Sequence, residues 1–98
     1  NYVVARGVVA DVSAEPVKAR ILLTDEMGDE IVGVHNTNEA TGRYIMVLVP
    51  GQRYSMSVEA PGFAIHRSLI TAKATDHDDR EMALDIELVR DASVQRMK

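Results

Sequence analysis

The residues with the most chemistry in this chain lie in one short run, Asp76-His77-Asp78-Asp79. Carboxylates set close together can offer oxygen ligands to a hard cation such as Ca²⁺. The run lacks the central glycine and terminal glutamate of a calcium-binding helix–loop–helix, so a solvated loop is the favoured reading. His35, His66 and His77 could supply imidazole ligands or a general base. They fall on three separate segments, and no pair has the spacing of two ligands on one element. Ser55 and Ser57 share a strand face with Glu59, but no G-x-S-x-G turn surrounds either, so a nucleophile elbow is absent. An internal Lys–Asn cross-link, with Glu59 as its acid and Asp85 as acceptor, would need a lysine where the first strand offers only Arg6, whose guanidinium stays protonated. No catalytic constellation emerges. The expectation is that the chain is not an enzyme and has no cofactor and no metal site. The remaining candidates for contact with a ligand or partner are Asn36, Asn38, Thr41 and Arg43, polar residues gathered where two strands meet.

The elements that carry these residues are strands. Arg53, Ser55, Ser57 and Glu59 alternate with Tyr54, Met56, Val58 and Ala60, the period of a strand with one face in a core. Tyr44 to Val49 is apolar on both parities, which predicts a central or covered strand. Pro50-Gly51 separates the two and reads as the turn of a hairpin, and Pro61-Gly62 closes the second. Further strands are expected over residues 2–10, 19–25, 30–36, 63–71 and 81–90. Gly7, inside the first, suggests a bulge or a close backbone approach. Ile65 and Leu69 mark one parity of the sixth strand, and Met82, Leu84, Ile86 and Leu88 one parity of the seventh. No segment shows a convincing helical period. The fold class predicted is all-β, a seven-stranded antiparallel β-sandwich. Its expected core comprises Val8, Ile21, Leu23, Val34, Tyr44, Met46, Leu48, Tyr54, Met56, Val58, Leu84, Ile86 and Leu88, with Phe63 as a plug. Residues 1–90 are expected to form this one domain and 91–98 a polar tail or linker.

Composition narrows the function classes. A net charge of −4 with no run of Lys or Arg argues against nucleic acid as a partner. The absence of Cys rules out disulfides and thiolate chemistry. No apolar run approaches the roughly 18 residues of a membrane helix, so this domain is not expected to insert into a membrane. Aromatic residues are 4% of the chain and Trp is absent, so the core must be built from Val, Leu, Ile and Met. The chain opens at Asn1 almost directly into a strand, which suggests a domain cut from a longer protein.

Several segments, in order, resemble a known family. Arg6-Gly7-Val8-Val9-Ala10-Asp11, followed by Glu15-Pro16-Val17-Lys18-Ala19, resembles the opening "G-x-V-x-D-…-P-V-x-A" of the carboxypeptidase regulatory-like domain. Thr41-Gly42-Arg43-Tyr44 resembles its "T-x-G-x-Y", and Pro50-Gly51-Gln52-Arg53-Tyr54 with Val58 its "P-G-x-x-Y-x-x-x-V". Pro61-Gly62-Phe63 resembles the "x-G-Y/F" that follows. The resemblance implies a transthyretin-like β-sandwich and no catalytic residues. Residues 36–44 and 57–63 are similar to the version found in envelope proteins of Bacteroidetes, where the module sits among tetratricopeptide repeats, a β-propeller and an OmpA-like peptidoglycan-binding domain. One such group is the peptidoglycan-anchored lipoproteins associated with type IX secretion. That resemblance implies a periplasmic, outer-membrane-associated location.

Three functions follow as expectations. The first is a non-catalytic structural or protein-binding module of a multidomain lipoprotein, contacting neighbouring domains of its own chain or envelope and secretion proteins. The second is a module that binds peptidoglycan or carbohydrate fragments. The third is an accessory domain of a metallocarboxypeptidase.

Overall fold

Tyr54, Met56 and Val58 are buried, while Arg53, Ser55, Ser57 and Glu59 turn toward water, as their alternation requires. The same rule is clear over Arg43–Leu48 of the computed structural model, which describes residues 2–73 and 81–91. The strands are β1 (Val3–Ala10), β2 (Arg20–Asp25), β3 (Ile31–Asn36), β4 (Arg43–Leu48), β5 (Arg53–Glu59), β6 (His66–Thr71), β7 (Glu81–Ala83) and β8 (Ile86–Glu87). They form two sheets, one ordered β3-β2-β5-β6 and the other β4-β1-β7, with β8 also paired to β1. Side chains from both sheets enclose a core that includes Val3, Ala5, Val9, Ile21, Leu23, Tyr44, Met46, Leu48, Met56, Val58, Phe63, Ile86 and Leu88. The architecture is an all-β two-sheet sandwich.

Several expectations are corrected. Eight strands stand where seven were predicted, because the last is split at residues 84–85. Both of its pieces run parallel to β1, so the first sheet is mixed rather than wholly antiparallel. Alternation alone could not have shown this, since parallel and antiparallel strands share the same period. Nor is there a hairpin at Pro50-Gly51. β4 pairs with β1, whereas β5 pairs with β2 and β6. The turn, with Gly51 at φ +86° and Gln52 N–H donating to Val49 C=O at 3.1 Å, carries the chain from one sheet to the other.

β4 is an edge strand, and its second apolar parity is exposed: Ile45 by 54%, Val47 by 58% and Val49 by 46%. Val34 also leaves the expected core, lying on the outer face of β3 at 44% exposure. In β1 the inward parity is Val3, Ala5, Gly7 and Val9, so Val9 is buried and Val8 half-buried. Leu84 too is only half-buried; in β6 Ile70 is buried while Leu69 is exposed, and Ile65, just before that strand, is exposed as well.

Gly7 is the place where the connection between β7 and β8, both on the same edge of β1, comes closest to that strand. A side chain there would overlap the backbone carbonyl of Leu84, which explains the glycine inside an otherwise β-branched strand. Leu84 N–H donates to Arg6 C=O at 2.9 Å, and the Asp85 carboxylate accepts Val8 N–H at 2.9 Å. These bonds bridge the interval between β7 and β8. The Phe63 plug is in place and carries the Arg90 guanidinium 4.6 Å from its ring centroid.

The two parities of the edge regions lead to opposite mutational outcomes. Leu48→Ala should lower unfolding free energy by about 2–5 kcal/mol in urea titrations, as a cavity in the core does. Val34→Ala, at an exposed site, should change it by less than about 0.5 kcal/mol.

Candidate functional site

Where the end of β3 meets the start of β4, the sandwich opens into a groove of about 930 Å³. Arg6, Gly7 and Val8 contribute from β1, Val34 to Asn36 from β3, and Arg43 to Ile45 from β4. Three of the four residues expected to contact a ligand line it: Asn36, Asn38 and Arg43. Thr41 does not. Its hydroxyl instead accepts Arg43 N–H at 3.2 Å, a local turn contact.

The connection between the strands is self-supported. The Asn38 side-chain oxygen accepts the N–H groups of Ala40 and Thr41 at 2.8 and 3.0 Å, so this side chain shapes the turn as well as facing the groove. Gly42 takes φ +73°, and its amide donates to Asn38 C=O at 2.7 Å. Thr37, a buried polar residue the sequence did not single out, ties this connection to the chain before β2. Its hydroxyl donates to Val17 C=O at 2.8 Å and accepts Ala19 N–H at 2.8 Å. Removing that hydroxyl would leave two backbone groups unpaired in the interior.

The groove displays the guanidinium groups of Arg43 and Arg6. Arg43 is exposed and has no ion-pair partner among the described residues. Arg6 lies 3.5 Å from Glu81, with both side chains about half-exposed, a pairing that contributes little. His35 is half-buried and lays its ring along its own strand, with Nε2 close to the place a side chain at Gly33 would fill. The lining residues include no carboxylate. Arg6, His35 and Tyr44 were not among the expected site residues, because they join the groove from three different strands.

Tyr44 is core and groove at once. Its hydroxyl donates to Leu84 C=O, the carbonyl that overlies Gly7. Burial pushes its phenol up to about 12, and the nearby Asp85 carboxylate adds to the effect. Tyr54 is likewise buried, and its hydroxyl accepts Val49 N–H at 3.0 Å.

The other candidate groups do not converge. His35 and His66 sit on opposite edges of the β3-β2-β5-β6 sheet, three strand spacings or about 14 Å apart. His77 and the run Asp76–Asp79 lie outside the described residues. Among the described residues no three His, Asp or Glu side chains come together as a metal-holding group. Glu59 lies 3.9 Å from Arg20 in one sheet, whereas Asp85 is bonded to Val8 in the other.

No protein-family model and no curated protein matches the chain. Its fold does match solved structures. The 3-chlorocatechol 1,2-dioxygenase of Rhodococcus opacus 1CP superposes with a TM-score of 0.71 at 9% identity over 93% of this chain and 60% of its own. The hydroxyquinol 1,2-dioxygenase of Pseudomonas putida DLL-E4 gives 0.70 at 10% identity, over 92% of this chain and 57% of its own. The dioxygenase domain of a dioxygenase–carbohydrate-binding protein fusion from Streptomyces sp. SirexAA-E gives 0.67 at 15% identity, over 92% of this chain and 80% of its own. This chain thus spans about three-fifths of the length of the first two. The expectation that the chain is not an enzyme is overturned by these matches: its sandwich is one that dioxygenases use. At such identities the likeness is one of fold.

The raised Tyr44 phenol makes a signed prediction. Its folded value lies above the ordinary value of 10.0, so its contribution is fully present below about pH 10 and declines as pH rises toward 12. Tyr44→Phe should abolish that limb. The stability difference between wild type and variant, measured by urea titration, should shrink by about 1–3 kcal/mol over this interval.

Proposed function

We propose that the chain is a structural and protein-binding module of a larger envelope protein, periplasmic and associated with the outer membrane. Two lines support the reading. The segments that resemble the carboxypeptidase regulatory-like domain fall at positions the backbone needs. Gly42, Gly51 and Gly62 have positive φ, Gly7 leaves room for the Leu84 carbonyl, and Phe63 plugs the core. A transthyretin-like sandwich is the proposed fold type on that basis. The observation that carries the functional reading is the groove with Arg43 and Arg6 at the open margin between β3 and β4, bordered by the exposed apolar residues Val34, Ile45 and Val47. Apolar area beside an unmatched charge is what a macromolecular partner can use.

Two other readings each have one observation in their favour. The amides of Asn36 and Asn38 beside Arg43 suit a peptidoglycan or carbohydrate fragment. The fold likeness favours a dioxygenase-type domain acting on a catechol or hydroxyquinol. An accessory role beside a metallocarboxypeptidase has no comparable support.

A photoreactive residue in place of Asn36 in the parent protein separates them. The expected product is a cross-link to an envelope protein that survives muramidase. A muramidase-sensitive adduct would move the assignment to peptidoglycan. Oxygen uptake by the purified protein with catechol or hydroxyquinol would move it to the dioxygenase class.

A further inference from the structure

The sandwich has four sheet edges, and three are guarded against strand addition. β3 has a register irregularity opposite Leu23 and Thr24 and a glycine at position 33. β6 carries Arg67 in its exposed half. The edge formed by β7 and β8 is only three and two residues long in its two pieces. Bulges, charges and short length are the usual means of keeping an edge from recruiting another strand. β4 carries its single charge, Arg43, at its first position, and the rest of the strand has neither bulge nor charge. Its six residues pair with β1 in unbroken register from Val3↔Leu48 to Val8↔Arg43, and no charge or proline follows Arg43 within it.

The free backbone groups of β4 can be located. Val9 N–H donates to Gly42 C=O at 2.8 Å, so the even-numbered residues from Gly42 to Leu48 direct their peptide groups at β1. The odd-numbered residues then point away. Two of these are already used: Arg43 C=O accepts Asn38 N–H at 2.9 Å, and Val49 N–H donates to the Tyr54 hydroxyl at 3.0 Å. Between these capped ends lie Ile45 and Val47. Among the described residues nothing pairs their outward peptide groups. Their side chains are the more exposed parity of the strand, 54% and 58%.

We propose that this window, Ile45 to Val47, is a strand-addition site for an extended segment of a partner protein. The segment alternates apolar residues and carries a carboxylate that reaches Arg43. The charge argument chooses the occupant. The groove beside the window offers the Arg43 guanidinium, which has no ion-pair partner among the described residues, whereas Arg6 already lies 3.5 Å from Glu81. A second copy of β4 laid against this window would bring only Tyr44 to Val49, which are uncharged, and a further Arg43. An acidic segment matches the window, and a second copy does not. The proposal rests on the protein-binding reading above and adds the edge and the chemistry of the partner.

The test is an amide-shift titration with a synthetic nine-residue peptide of alternating valine and threonine containing one glutamate, and with its lysine counterpart. The expected result is saturable shifts and slowed exchange at the Ile45 and Val47 amides. Binding of the glutamate peptide should be about three- to fivefold tighter at low salt, the effect of an exposed ion pair. Val47→Pro removes an N–H that the fold does not use, so it should abolish binding and leave the remaining spectrum in place. Should that variant fail to fold, Arg43→Gln at an exposed site should erase the preference for glutamate. Shifts confined to β3 or β6 overturn the assignment to β4 and leave the protein-binding reading standing. So does a β4 dimer that protects the same amides without peptide. No shift at millimolar peptide, or equal binding of both peptides, also overturns it. A muramidase-sensitive cross-link at position 36 would instead remove the reading on which the proposal rests.

Discussion

The close approach at Gly7 is the constraint on which the first sheet depends. The connection between β7 and β8, which pair with the same edge of β1, leans its Leu84 carbonyl over Gly7, and only a residue without a side chain leaves room for it. That carbonyl accepts the Tyr44 hydroxyl from β4, the Leu84 amide bonds Arg6, and Asp85 bonds Val8. Three strands are therefore fastened at one point. A single hydrogen bond of this kind contributes about 0.5–1.5 kcal/mol net, so the set is a sizeable part of a stability of about 5–15 kcal/mol. The high phenol value of Tyr44 comes first from the same burial, which extends the range in which the donor stays protonated from about pH 10 toward 12.

Fixing β1 in this way also fixes β4, which has no other strand partner in its sheet. β4 is held on one side by β1 and capped on the other at both ends, by Asn38 and by Tyr54. The turn residues of the β3–β4 connection serve that arrangement: Asn38 and Thr41 close the loop, and Thr37 anchors it to the interior. The groove is the consequence. Its lining joins a rigid floor from β1 to polar residues displayed from a well-braced connection, and Arg43 stands at the join.

Much of the fold was legible because most strands keep one parity apolar and the other polar. β5 is the clearest case, and Phe63, Tyr44 and Tyr54 also behave as their flanking residues suggest. Legibility failed where both parities are apolar. In Val8-Val9 nothing marks the inward residue, and the parity is decided by Gly7 facing Leu84. In β4 two apolar parities suggested a covered strand, whereas the strand lies at an edge with Ile45 and Val47 exposed. The crossing between sheets at Pro50-Gly51 and the parallel pairing of the last strands depend on long-range partners that a period does not encode. The site was half-visible for the same reason. Asn36, Asn38 and Arg43 are neighbours in sequence and in space, while Arg6, His35 and Tyr44 reach the groove only through the topology. Thr37 gave no signal, because its role is set by Val17 and Ala19 on another segment. The fold's occurrence in dioxygenases is a likeness of fold, and activity must be argued from the groove and the edge.

The measurement that bears most directly on this account is native-state hydrogen exchange at the Val8 and Leu84 amides. If the close approach at Gly7 and its hydrogen bonds hold the first sheet together, both amides exchange only through global unfolding, with the same free energy as the most protected amides of β2 and β5. Exchange of either amide through a low-energy local opening, while β1 and β4 stay protected, would contradict it.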